Sequence, residues 1–159
     1  MLTINVLCVG KIKERFLKEA IDEYSKRLSK YCKLNIIEVQ DEKIPDNSSE
    51  KIEEKIKNKE CETLMSHLKK DSYVIALDLK GKEYDSVEFS KHIEGLSNIT
   101  SSITFIIGGS LGLNKEILKL ANESICFSKM TFPHQLIRVF LLEQLFRSFK
   151  ISKNETYHK

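Results

Sequence analysis

The sequence predicts an α/β fold with a mainly parallel sheet and helices on both faces. Three observations predict it. Strand and helix patterns alternate along the whole chain. Two strand patterns, Val74–Leu77 and Ile103–Ile107, are nearly continuous apolar runs, as strands covered on both faces require. A chain of 159 residues, 41% hydrophobic and 31% charged, suits a single domain, 1–159, with a substantial core.

The elements follow in order. Thr3–Val9 is rich in β-formers, and Gly10 ends it. Glu14–Leu28 has helical spacing, with Phe16, Ala20, Tyr24 and Leu28 on one face. Leu34–Val39 is a second strand. Gln40–Ser48 contains Pro45, Asp46 and Asn47 and reads as a loop. Ser49 is placed to cap a charged surface helix, Glu50–His67, that turns Ile52, Ile56 and Leu64 inward. Tyr73–Leu79 is an apolar strand, and Lys80-Gly81-Lys82 reads as a turn. Asp85 or Ser86 caps a helix reaching Leu96. Ser102–Ile107 is a strand, Asn114–Ala121 a short helix, and Ser124–Ser128 the last strand. Pro133 stands at the start of the final helix, where its missing N–H costs nothing. That helix spans His134–Lys150, and Ile151–Lys159 is a polar tail.

The final helix carries apolar residues nearly all round. Leu136, Val139, Leu142, Phe146 and Phe149 are interleaved with Ile137, Phe140, Leu141 and Leu145. A helix of this kind is buried on most sides. One sheet covers one side, so the helix is either sandwiched within one domain or, the reading favoured, covered on its other side by a second copy of the chain across a two-fold axis.

Composition narrows the function classes. No apolar stretch is long enough to cross a bilayer. Met1–Gly10 reads as structure and not as a signal peptide, so a cytoplasmic protein is expected. Cys8, Cys32, Cys61 and Cys126 form no C-x-x-C pair and lie at no metal-ligand spacing from histidine, so reduced thiols and no metal are expected. Net charge is +3. Lys11, Lys13, Arg15 and Lys18 cluster after the first strand, and Lys129, Arg138, Arg147, Lys150, Lys153 and Lys159 outnumber Glu143 and Glu155 at the other end. Brought together they form a basic face for phosphates; kept apart they are solvated surface.

Chemistry concentrates in two strand-to-helix junctions. The first is Gly108-Gly109-Ser110-Leu111-Gly112. It is followed by Leu113-Asn114-Lys115-Glu116, which is no Walker loop, and its spacing is not the dinucleotide fingerprint. Its glycines serve either a tight turn or a close backbone approach to a flat ligand. The second junction is Phe127-Ser128-Lys129-Met130-Thr131-Phe132-Pro133-His134. Met130 and Phe132 can wall an adenine or a thioether. His134 sits at the positive end of a helix, which favours neutral imidazole fit to accept a proton; a structural hydrogen bond is the other role open to it. Arg138 lies one turn on and can grip an anion or form an ion pair. His67 and His92 read as surface residues. Tyr157-His158-Lys159 is either a loose end or a lid over a neighbouring pocket.

These residues carry a resemblance. Val9-Gly10-Lys11, Phe105-Ile106-Ile107-Gly108-Gly109-Ser110, Phe127-Ser128-Lys129-Met130-Thr131-Phe132-Pro133-His134-Gln135, Arg138-Val139 and Tyr157-His158-Lys159 make the chain similar, over its whole length, to the ribosomal RNA large subunit methyltransferase H family of the SPOUT class. The resemblance implies a C-terminal trefoil knot, which periodicity does not reveal. It implies a homodimer that binds S-adenosyl-L-methionine in the knot and methylates N3 of a pseudouridine in helix 69 of 23S rRNA on the assembled ribosome. By position, Leu77, Gly108 and the run Phe127, Ser128, Lys129, Met130, Thr131 and Phe132 contact the cofactor. Leu111 departs from the polar residue that relatives often carry there. His134 or His158 is expected to accept the proton from N3, with Arg138 orienting the nucleotide. Tyr157–Lys159 is expected to reach the neighbouring subunit's pocket. Two rival readings remain: a ribosome-binding protein without activity, and a methyltransferase acting on transfer RNA.

Overall fold

The computed structural model describes residues 1–159. In chain order the elements are β1 (Thr3–Val9), α1 (Arg15–Leu28), β2 (Lys33–Val39), α2 (Glu50–Ser66), β3 (Tyr73–Glu83), α3 (Ser86–Ser97), β4 (Ser102–Ile107), α4 (Lys115–Leu120), β5 (Glu123–Cys126) and α5 (His134–Ser152). The strands form one sheet in the order β2-β1-β4-β3-β5, and every neighbouring pair is parallel.

Strand pleating divides the core into two layers. Ile4, Val6 and Cys8 of β1, with Ile103, Phe105 and Ile107 of β4, face α1, α3 and α5. Leu7 and Val9 of β1, Val74 and Ala76 of β3, and Ile106 of β4 face α2 and α4. Side chains such as Phe105, Ile106 and Ile75 are fully buried, each contributing roughly 1.5–3 kcal/mol. This is the expected architecture, with helices on both faces and apolar central strands. The four cysteines are free and buried within it. Burial pushes the Cys8 thiol up to about 11 and the Cys32 thiol up to about 12, so both sit as small hydrophobes.

Local signals placed most helix starts. Ser49 accepts a hydrogen bond from the Ile52 N–H. Asp85 and Glu88 form a reciprocal capping box at α3, and Asn114 accepts from the Ile117 N–H at α4.

Four expectations are corrected. On α1 it is Leu17, not Phe16, that turns inward, and Phe16 is 68% exposed. A shift of one residue rotates a helical side chain by about 100°. Ile52 is likewise exposed, and α2 buries Glu60, Cys61 and Leu64. Lys80-Gly81-Lys82 is not a turn. The β3 strand runs on to Glu83, and its register on β5 shifts so that Leu77 and Lys82 both pair with Ile125. His92 is only partly exposed: its Nε2 lies 2.6 Å from Glu123 Oε1 and ties α3 to the edge strand β5.

The tail is ordered against α5. Tyr157 meets Phe146 edge-on at 5.0 Å, and its hydroxyl donates to Glu143 Oε1 at 3.2 Å. Leu141, Leu142, Leu145 and Phe146 of α5 enter the core, whereas Leu136, Val139 and Phe140 remain partly or largely open.

Candidate active site

Three connections leave the carboxyl ends of neighbouring strands and line one cleft of about 670 Å³. Leu77, Asp78 and Leu79 come from the β3 irregularity, Ile107–Leu113 from the end of β4, and Phe127–Ser128 with Met130–His134 from the link between β5 and α5. A cleft at this edge of a parallel sheet follows from topology, because the strand ends splay there and the helices start.

The glycine junction is a tight turn with a packing constraint. The Gly112 N–H donates to the Gly109 carbonyl at 3.0 Å. Gly112 has φ +79°, in the left-handed region. A Cβ on Gly108 would lie 2.7 Å from the Gly112 carbonyl carbon. The close approach is therefore first to the chain's own backbone. That closure makes the tight-turn role the observed one, and it leaves Gly108–Gly112 along the cleft wall. Glu60 sits behind the turn, 5% exposed, accepting from the Glu42 N–H at 3.0 Å. Burial raises its pKa. Periodicity gave no sign that Glu60 is buried.

The opposite wall is Phe127 to Phe132. The Ser128 hydroxyl accepts from the Met130 N–H at 3.0 Å, and the Cys126 thiol donates to the Ser128 carbonyl at 2.9 Å. Of the eight residues expected at the cofactor, Leu77, Gly108, Phe127, Ser128, Met130, Thr131 and Phe132 line the cleft together. Lys129 lies in the same loop and is exposed. These residues suit S-adenosyl-L-methionine. A backbone cradle at Gly108–Gly112 can hydrogen-bond a base edge, and Leu77, Phe127 and Phe132 supply apolar surface for an adenosyl ring and a thioether.

His134 lines the same cleft as the first residue of α5. Burial and the Arg138 guanidinium hold its pKa below the ordinary histidine value, while Asp41 opposes the shift. The imidazole is neutral near pH 7 and able to accept a proton. The helix starts without a side-chain cap, Pro133 being its N-cap residue.

Arg138 and His158 lie elsewhere. Arg138 is 2% exposed and turned into the protein. Its Nη2 donates to the carbonyls of Val9 at 2.6 Å and Gly10 at 2.8 Å, and its Nη1 to Glu38 Oε2 at 2.9 Å. Of the two roles open to it, this geometry is that of an ion pair within one chain. His158 is exposed, with Nδ1 3.0 Å from Arg147 Nη1 on the outer side of α5. No group of three or more His, Cys, Asp or Glu side chains is arranged to hold a metal ion. No helix is long and apolar enough to cross a membrane.

Comparison with known proteins agrees with this geometry. Residues 2–158 match the family model described as "Predicted SPOUT methyltransferase". The chain is 60% identical over 159 residues to ribosomal RNA large subunit methyltransferase H 1 of Clostridium perfringens (strain SM101 / Type A), covering 99% of this chain and 100% of that protein. With the same coverage it is 58% identical to ribosomal RNA large subunit methyltransferase H of Clostridium botulinum (strain Eklund 17B / Type B), and 61% identical to that of the botulinum Hall strain. An all-parallel β2-β1-β4-β3-β5 sheet, a glycine-walled cleft at its carboxyl edge and matches over essentially the full length make this chain a member of the SPOUT methyltransferases, in the ribosomal RNA large subunit methyltransferase H family.

Proposed function

We propose that the protein is a cytoplasmic S-adenosyl-L-methionine-dependent methyltransferase that modifies 23S rRNA in the assembled ribosome, at N3 of a pseudouridine in helix 69. The observation that carries the reading is the joining of Leu77, Gly108–Gly112, Phe127–Ser128 and Met130–His134 in one cleft. Family membership adds the trefoil knot and the class of substrate to this reading.

When bound, S-adenosyl-L-methionine supplies an electrophilic methyl carbon on a sulfonium. The chain's own task is to orient it and to exclude water. The peptide groups of Gly108–Gly112 hold the adenine edge, and Leu77, Phe127 and Phe132 exclude water around the sulfur. N3 of pseudouridine carries a proton and is a weak nucleophile until the proton leaves. His134 is the acceptor we assign, because it is neutral and lines the cleft. In a single chain His158 lies outside the cleft and Arg138 acts through the Val9–Gly10 turn, so Arg138 positions the His134 turn without touching the nucleotide.

The active form we propose is a homodimer. Leu136, Val139 and Phe140 of α5 are the apolar surface left for a partner, with Phe140 37% exposed. In that dimer the docked Tyr157–Lys159 segment of one subunit borders the cleft of the other and brings His158 with it. Deleting Tyr157–Lys159 is expected to lower single-turnover methylation by at least tenfold, about 1.4 kcal/mol, while calorimetric binding of S-adenosyl-L-methionine is retained. An unchanged rate would rule the tail out.

The deciding experiment incubates ribosomes and, separately, the transfer RNA pool from a deletion strain with pure protein and labelled cofactor, then maps the modified nucleotide. Label in 23S rRNA at the named base supports the reading, and label in the transfer RNA pool replaces it with the transfer RNA reading. Binding to ribosomes with no heat from S-adenosyl-L-methionine would leave the inactive ribosome binder. His134→Ala should slow the wild-type reaction about 100-fold or more, the usual contribution of a positioned base. The wild-type pH–rate profile should stay flat to below the ordinary histidine value, because the His134 pKa is depressed. Near-normal rates in both His134→Ala and His158→Ala would exclude both as the base.

A further inference from the structure

The first turn of α1 has an exposed aromatic that the cleft does not use. Phe16 is 68% exposed. Lys11, Lys13, Arg15 and Lys18 surround it in sequence, and all are exposed. Glu14 and Glu19 are the acidic residues of the same segment, and Glu19 pairs with Arg15 at 2.9 Å. At the other end of the chain Arg138 is buried on Glu38, Arg147 pairs with Glu143, and Lys150 pairs with Glu155, whereas Lys129, Lys153 and Lys159 form no salt bridge. Lys11, Lys13 and Lys18 form no salt bridge, and the aromatic among them, Phe16, is open to solvent.

This segment is held firmly and sits on the cleft's side of the molecule. The Ile12 N–H donates to Glu38 Oε2 at 2.9 Å, the same oxygen that pairs with Arg138, and Arg138 grips the Val9 and Gly10 carbonyls. Near the end of α1, Arg27 lies over the Phe146 ring, and just beyond it Tyr31 stacks on Phe149 at 5.4 Å. The ends of α1 and α5 thus meet, the two helices run side by side in the same sense, and both begin at the carboxyl edge. Phe16 and His134 are presented on one side of the sheet by a shared scaffold.

We infer that Lys11, Lys13, Phe16 and Lys18 form a docking patch for an unpaired RNA segment, with an unstacked base lying on the Phe16 ring and flanking phosphates on the lysines. An exposed ring on a rigid helix costs little to desolvate and stacks on any base, and the lysines supply sequence-independent attraction. A folded RNA with splayed loop bases is the partner such a surface fits. The inference rests on the rRNA methyltransferase reading and adds a binding surface to it.

The test compares full-length wild type, Phe16→Ala, Phe16→Trp and the triple variant Lys11→Ala/Lys13→Ala/Lys18→Ala. Cosedimentation with assembled ribosomes across a potassium chloride series gives Kd and its salt slope. Phe16→Ala should weaken binding about tenfold at every salt concentration, and Phe16→Trp should bind like wild type. The triple variant should bind more weakly, with a salt slope shallower by about 2. Melting temperature and heat of S-adenosyl-L-methionine binding should not move in any variant. The inference is overturned if Phe16→Ala binds ribosomes like wild type, if its sedimentation shows a dissociated dimer, or if the patch instead drives binding to phosphatidylglycerol vesicles. Absence of methylation by wild type would reject the proposed function, and cosedimentation would still decide on the patch.

Discussion

Arg138→Ala is expected to destabilise the fold by about 2–4 kcal/mol, chiefly through the two stranded backbone carbonyls because Glu38 is a third exposed, measured by urea denaturation of the purified chain. The wild-type guanidinium satisfies two backbone carbonyls and one carboxylate at once. Removing it strands the Val9 and Gly10 carbonyls, leaves Glu38 without its cation, and opens a void beside α5 where Arg138 is now 2% exposed. Glu38 still accepts from the Ile12 N–H, so the loss is less than that of a fully isolated charge. Arg138→Lys should recover only part, because an ammonium lacks the planar fork that reaches three acceptors in two directions. Methyl transfer should fall with stability, since the same contacts fix the first turn of α5 and therefore His134. A variant as stable as wild type would show that the pair is replaceable by solvent.

Gly81→Ala is the second large effect. A Cβ there would lie 2.6 Å from both the nitrogen and the carbonyl carbon of Ile125, and 2.7 Å from the carbonyl carbon of Ser124. These are backbone atoms of a strand, so no rotamer change relieves the clash. The cost is expected at the upper end of overpacking penalties, about 3 kcal/mol. β5 has only β3 as a partner in the sheet, so it is the strand that will move. Its carboxyl end leads directly into Phe127–Phe132, and the variant should lose cofactor affinity as well as stability. Gly95→Ala is the control. It lies within α3, nothing stands within 4 Å of its Cβ position, and it should stabilise the protein by about 0.4–1 kcal/mol. Equal melting temperatures for the two variants would refute the packing argument.

These two positions show where sequence reading stopped. Gly81 reads as a turn because Lys-Gly-Lys after an apolar run is a turn signal. Its actual constraint is Ile125, 44 positions along the chain and visible only once β5 lies against the β3 irregularity. Arg138 is separated from Glu38 by 100 positions and from Val9 by 129, and helical spacing carries no trace of either partner. Phe16 and Leu17 are adjacent apolar residues, and periodicity alone did not select the inward one. The cleft was more legible. Gly108–Gly112 and Phe127–Pro133 announce themselves through backbone chemistry at strand ends, and such signals are local.

The sequence by itself determined the alternation of strands and helices, the nearly continuous apolar strands, the helix cap at Ser49, a cap at Asp85 or Ser86, and the two loops that line the cleft. Each depends on residues within a few positions of one another. The tertiary structure alone decided the order β2-β1-β4-β3-β5, the pairing of both Leu77 and Lys82 with Ile125, the burial of Glu60 and Arg138, and the docking of Tyr157 on Phe146. The reason is physical: periodicity fixes which face of an element is apolar, whereas the choice among apolar faces and buried charges is a competition between distant segments, settled only when they pack.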